Sequence, residues 1–151
     1  MHKLNLPAYN FTIREREGKP EIFDMVRKQY VALTPEEWVR QHFIRFLIEE
    51  RQIPIGLIGV EKTIKVSRLS KRCDIIVFDR QGKPQMVVEC KQPAVKIDHA
   101  AFEQATRYNL ALLIRYMVLT NGLQHFCLAL DYQQQTAIPV NYIPCFEELG
   151  L

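Results

Sequence analysis

An α/β fold on a mixed sheet is what this sequence predicts, and three observations carry the expectation. Helical and strand-like periodicities follow one another in the order helix, three strands, helix, two strands. Turn residues punctuate the strand-like runs, with Asp79-Arg80-Gln81-Gly82-Lys83-Pro84 and Asn121-Gly122 as the clearest cases. The chain has 151 residues, 48% of them hydrophobic and 25% charged, a composition that suits a compact soluble fold and argues against wholesale disorder. A multidomain motor does not fit this length, and neither does a (β/α)₈ barrel of about 250 residues.

Each element has its own justification. Residues 11–16 alternate apolar and polar, Gly18-Lys19-Pro20 makes a turn, and residues 21–24 resume, which predicts a hairpin or arm within 1–33. Thr34, Pro35 and Glu37 form a capping-box pattern, in which the Glu37 carboxylate is expected to reach back to a free amide. Val39, Phe43, Phe46 and Leu47 then recur at helical spacing to about residue 50, and Pro54 blocks any continuation. Strands are expected at 58–66, 73–78 and 85–91, and a second helix at 98–116 capped by Asp98. Residues 117–120 read as a buried strand and 126–130 as its antiparallel partner. The expected organisation is one domain over 1–151, with a core at 34–131 and a tail at 132–151 containing Pro139 and Pro144.

Charge is informative through its distribution. Twenty Lys and Arg against 17 Asp and Glu leave a net charge of only +3. Between residues 62 and 72, however, Lys62, Lys65, Arg68, Lys71 and Arg72 occur with no acid. Two readings are open: a solvated strand edge and turn, or a surface that meets phosphates. Cys73, Cys90, Cys127 and Cys145 are widely spaced and form no zinc-binding pattern, so free thiols in a reducing compartment are expected. The first residues do not form a secretory signal, and Arg115 interrupts the apolar run 110–119, so the expectation is a cytoplasmic protein without a membrane span. His42, His99 and His125 do not cluster and are read as incidental.

The segment richest in chemistry runs from Arg72-Cys73-Asp74 through the hairpin to Glu89-Cys90-Lys91. Alternation along a strand puts Glu89 and Lys91 on one face and Cys90 on the other. An antiparallel return brings Asp74 across from Glu89. Two carboxylates and an ammonium would thus meet at one end of an apolar hairpin, where the acids repel one another unless a cation lies between them. Mg²⁺ or Mn²⁺ suits such oxygen donors. The plainer reading is an ion pair at a strand end and an Asp that terminates a turn.

These residues resemble the PD-(D/E)XK nuclease motif, and most closely that of the N-terminal nuclease domain of type I restriction enzyme R subunits and its small stand-alone relatives. The element order over residues 34–130 is similar to that family's core. Gln104 and Tyr108 in Gln-Ala-Thr-Arg-Tyr match the Gln-x-x-x-Tyr signature of the type I branch. The resemblance implies a restriction-endonuclease-like core, a mixed central sheet flanked by helices. It implies Asp74 and Glu89 as metal ligands, the Cys90 backbone carbonyl completing the shell, and Lys91 positioning or activating water. Gln104, Arg107 and Tyr108 would steady the site or contact DNA, although a polar helix face also explains Arg107. Relatives often add a carboxylate from the first helix. Glu36 and Glu37 compete for that role, and Glu36 is favoured because Glu37 has a capping task. Cys73 stands where the motif's shorthand has Pro, which carries no side-chain chemistry.

Two functions follow as expectations. The first is a divalent-metal-dependent endonuclease domain acting on DNA, with Lys62, Lys65, Arg68, Lys71, Arg72 and Arg107 as candidate phosphate contacts. The second is a non-catalytic DNA-binding or protein-interaction module that keeps the fold. No glycine opens a Walker-type loop, so translocation-coupled cleavage is not expected of this chain alone. Any sequence choice would then come from a specificity or motor protein partner.

Overall fold

The computed structural model describes residues 1–149. Its N-terminal part is a three-stranded antiparallel sheet of β1 (Ile13–Arg16), β2 (Lys19–Asp24) and β3 (Gln29–Ala32). Helix α1 (Pro35–Glu49) leads into a second sheet of β4 (Ile58–Val66), β5 (Leu69–Phe78), β6 (Pro84–Cys90), β7 (Tyr116–Thr120), β8 (His125–Asp131) and β9 (Thr136–Val140). These six strands lie in sequence order. Neighbours are antiparallel except β6 and β7, whose parallel pairing follows from the crossover through helix α2 (His99–Ala111).

The apolar strands are buried on both faces, which explains why they read as almost continuous hydrophobic runs. Ile75, Val77, Met86 and Val88 join Val39, Phe43 and Leu47 of α1 in one core. Ile76, Val87, Met117 and Leu128 join Ala105 and Leu110 of α2 in the other. Period-two alternation therefore divides one sheet between two helices. Two glycines adopt conformations suited to their turns. Gly82 has φ +82° in the β5–β6 loop. Gly122, at φ +85°, also lies so close to Leu4 and Val39 that a Cβ would clash.

Several expectations are refined. Thr34 caps α1, its hydroxyl accepting from the Glu37 amide at 3.0 Å, but the reciprocal half of the capping box is missing. The Glu37 side chain instead turns into the protein and accepts from Arg27, Arg40 and Gln41. Helix α2 ends at Ala111, short of residue 116. Leu110, Leu112 and Ile114 are all buried, a spacing of two that a helix cannot supply, and Leu113 leaves the helix at φ +59°. Strand β5 begins at Leu69, four residues before the expected 73, because its ladder with β4 extends to Val66↔Leu69.

Two strands lie outside the sequence-based expectation. β3 follows a turn held by Asp24 rather than by glycine. β9 contains Pro139 and is formed at the sheet's edge, where a missing N–H is tolerated.

The N-terminal sheet is tied to α1 by a buried carboxylate. Asp24 Oδ1 accepts from the amides of Val26 and Arg27 at 2.8 and 2.9 Å, and Oδ2 from Arg27 Nε and Gln41 Nε2 at 2.7 and 2.9 Å. Burial raises the Asp24 pKa, but hydrogen bonds from Arg27 and Gln41 outweigh it and hold the carboxyl below its ordinary range.

Two stability tests follow. Ile75→Ala, which removes a fully buried side chain, should cost about 2–5 kcal/mol in chemical denaturation. Asp24 binds its proton less tightly when folded than when unfolded. Its contribution is therefore complete above about pH 4 and is lost as pH falls through the lower folded value. Asp24→Asn should destabilise the protein at neutral pH, and urea titrations should show the gap from wild type narrowing as the solution is acidified.

Candidate functional site

The β5–β6 hairpin sets the site's geometry. Ile75 pairs with Val88, so Asp74 falls on the row of Glu89. Asp74 Oδ2 accepts from the Cys90 amide at 2.8 Å, fastening the two strand ends together. Glu89 and Lys91 lie on a common face, as alternation predicts, and both line a cleft of about 510 Å³ beside α2. Gln104 and Tyr108 line the same cleft. Tyr108 donates its hydroxyl to the Ser70 carbonyl at 2.8 Å, linking α2 to β5. The Glu89 carboxylate is ion-paired to Lys71, whose ammonium stands 5.1 Å from the centre of the Tyr108 ring. Arg107 is exposed and is not among the residues lining the cleft.

The second oxygen of Asp74 turns the other way, toward α1. Arg40, whose side chain is only 7% exposed, stands among four carboxylates. Its Nη1 contacts Glu61 at 2.8 Å and Glu37 at 3.3 Å. Its Nη2 contacts Asp74 and Glu36, each at 3.3 Å. Burial disfavours the charged guanidinium, but Glu37, Asp74 and Glu61 more than offset it and raise the Arg40 pKa. Glu37 also meets Arg27, which pairs with Asp24, so alternating charges connect the N-terminal sheet to Asp74. Glu36 reaches Asp74's surroundings through Arg40.

Glu61 and Arg40 belong to this arrangement, and sequence reasoning missed both. Glu61 has φ +56° within β4, and the paired residues pass from Val60↔Ile75 to Lys62↔Cys73 around it. Both strands change faces at this row. Val60 and Ile75 pack in the α1 core, whereas Ile64 and Cys73 pack in the α2 core despite sharing their parity. The one sequence signal was Lys62, which occupies a place where alternation from Val60 to Ile64 calls for an apolar residue.

The basic stretch is not one surface. Lys71 is committed to Glu89 and Arg72 to Glu61 at 2.7 Å. Lys65 and Arg68 are exposed near the β4–β5 turn, and Lys62 lines a separate groove with Lys28 and Arg80. The histidines remain apart: His42 packs on Trp38, His99 pairs with Glu103, and His125 bonds Thr120.

Donor chemistry in the site favours a hard ion. Burial pushes the Cys73 thiol up to about 11 and raises Cys90 well above its ordinary value, so neither offers a thiolate near neutral pH. Cys90 points into the α1 core. Carboxylate and carbonyl oxygens remain, and these suit Mg²⁺ or Mn²⁺. Among the described residues, no three His, Cys, Asp or Glu side chains gather into a group able to hold a metal. Asp74 and Glu89 are each compensated by a cation of the chain itself. No helix among the described residues is long and apolar enough to cross a membrane.

Comparison with known proteins agrees with this architecture. A fragment assigned to an HsdR subunit of a type I restriction enzyme from Vibrio vulnificus YJ016 superposes with a TM-score of 0.54 at 23% identity. The match covers 78% of this chain and 25% of that one, so the chain spans about a quarter of its neighbour's length, and the likeness establishes the mixed α/β fold. No curated protein matches the chain. The family described as type I restriction enzyme R protein N terminus matches residues 35–144, from the start of α1 to beyond β9. On that match, which takes in most of its length, the chain belongs to the type I restriction enzyme R protein N-terminal family.

Proposed function

We propose that this chain is a divalent-metal-dependent nuclease domain that hydrolyses DNA phosphodiesters. The observation that carries the reading is the placement of Glu89 and Lys91 in one cleft with Gln104 and Tyr108, while Asp74 is fastened to the neighbouring Cys90 amide. Family membership adds to it. Asp74, Glu89 and the Cys90 carbonyl are the groups that would hold the ion, with Glu36 as the candidate from α1. When bound, the ion supplies a Lewis acid for a phosphoryl oxygen.

The chain's own residues do the remainder. Lys91 presents a cation to the cleft, where it can orient a water molecule or a phosphate oxygen. Tyr108, anchored on Ser70, fixes α2 against β5 and so sets the cleft's width. Gln104 offers an amide that can both donate and accept. Lys65, Arg68 and Arg107 are exposed and available to the DNA backbone, a contact that orients a duplex without reading its sequence. Sequence choice and coupling to a motor would be the work of partner subunits.

Plasmid and single-stranded DNA incubated with Mg²⁺ or Mn²⁺ provide the direct test. Wild-type protein should cleave, whereas Asp74→Ala and Lys91→Ala should reduce the rate by about 10²-fold or more. Wild-type cleavage no faster than that of the variants would overturn the catalytic reading and favour a non-catalytic module.

DNA affinity should also fall steeply as salt is raised, because phosphate contacts release counterions. Lys65→Gln with Arg68→Gln should flatten the slope of log affinity against log salt by about 2 units.

A further inference from the structure

The four carboxylates around Arg40 pose a problem that the proposed chemistry leaves open. A divalent ion at Asp74 needs a carboxylate oxygen, yet Asp74 Oδ2 is engaged by the Cys90 amide and Oδ1 by Arg40 Nη2. The two ends of the guanidinium are not held alike. Nη1 has a 2.8 Å contact to Glu61, and Glu37 lies 3.3 Å away. Nη2 has only 3.3 Å contacts, one to Asp74 and one to the half-exposed Glu36. Arg40 Nε is buried without any hydrogen-bond partner, so the guanidinium is not locked along its third edge.

We infer that Arg40 is the resident counter-cation of Asp74, and that a divalent ion competes with its Nη2 for Oδ1 while Nη1 remains on Glu61. The inference rests on the reading of Asp74 as an ion ligand and adds a positioning residue to it. Without the ion, Arg40 neutralises a carboxylate that would otherwise face Glu61 and Glu36 in a half-buried setting. With the ion, Glu61 retains the displaced charge close by, so releasing Asp74 does not strand a buried guanidinium. The left-handed backbone at Glu61 fits this role. A non-glycine residue at φ +56° is an uncommon left-handed conformation, and here it aims a carboxylate at Arg40 on the row of Asp74.

Mn²⁺ binding measured by calorimetry on the whole chain, with thermal unfolding in the presence and absence of Mn²⁺, tests the idea independently of cleavage. Arg40→Gln should bind Mn²⁺ about tenfold more tightly than wild type, and should gain more thermal stability from it. Glu61→Gln should weaken binding, because Nη1 loses its alternative partner. Arg72→Gln removes another cation from Glu61 without touching Asp74, and should change affinity by less than about twofold.

Unchanged or weaker binding by folded Arg40→Gln overturns the inference. Equal tightening by Arg72→Gln does so too, since it would report general charge rather than competition. If Arg40→Gln does not fold, Arg40→Lys decides, because an ammonium cannot bridge Glu61 and Asp74 as a planar fork does. Tighter Mn²⁺ binding by that variant supports the inference, and unchanged affinity overturns it. Failure of the underlying ion-ligand reading looks different: Mn²⁺ binding is then absent from every chain, or survives Asp74→Asn undiminished.

Discussion

A carboxylate taken out of water must find a counter-charge or give up its own charge, and this constraint organises the region joining the two sheets. Asp24, Glu37, Glu61 and Asp74 lie within or near the core, and Arg27 and Arg40 run between them. The result is a chain of alternating charges, rather than isolated pairs, from the turn after β2 to the outer end of β5. Each acid is held by at least one basic group, and Gln41 serves Asp24 and Glu37 together. Removing Arg40 would leave Asp74 without its cation in a part-buried setting, which is more costly than the loss of a surface ion pair.

The same arrangement explains how one sheet can carry an acidic site at its end. The middle of the β5–β6 hairpin is apolar on both faces, covered by α1 on one and by α2 on the other. Polar groups can approach only where the strands leave this double cover. At the row of Glu61 and Asp74 both strands exchange faces, so Asp74 meets α1 while Glu89 enters the cleft beside α2. The two acids are adjacent along the backbone ladder but are compensated from opposite sides, by Arg40 and by Lys71.

Helix α2 contributes through its anchoring as well as its side chains. Its last turn is tied to the sheet by Asn109, which donates to the Met117 sulfur, and by Tyr108, which donates to the Ser70 carbonyl. Gln104 and Tyr108, four residues apart, face the cleft together because that spacing returns a helix to nearly the same side.

Much of this was legible in the sequence, for local reasons. Thr34-Pro35 starts a helix whatever surrounds it, because the cap and the fixed φ of proline act within one turn. Short apolar runs bounded by turn residues marked β4, β6, β7 and β8, and strand alternation placed Glu89 beside Lys91 and turned Cys90 inward. The outcomes that depend on distant partners were not legible. Glu37 reads as a reciprocal cap, yet Arg27, Arg40 and Gln41 offer it stronger, charge-assisted bonds in the interior. Pro139 argues against a strand until the sheet supplies an edge for it, and Leu112 and Ile114 end α2 early because both are drawn into one core. Lys71 and Arg72 read as solvated or phosphate-facing charges until folding brings Glu89 and Glu61 to them. Short-range sterics and periodicity thus act through the chain itself, whereas the pairing of charges acts through space and is settled only when the strands and helices pack.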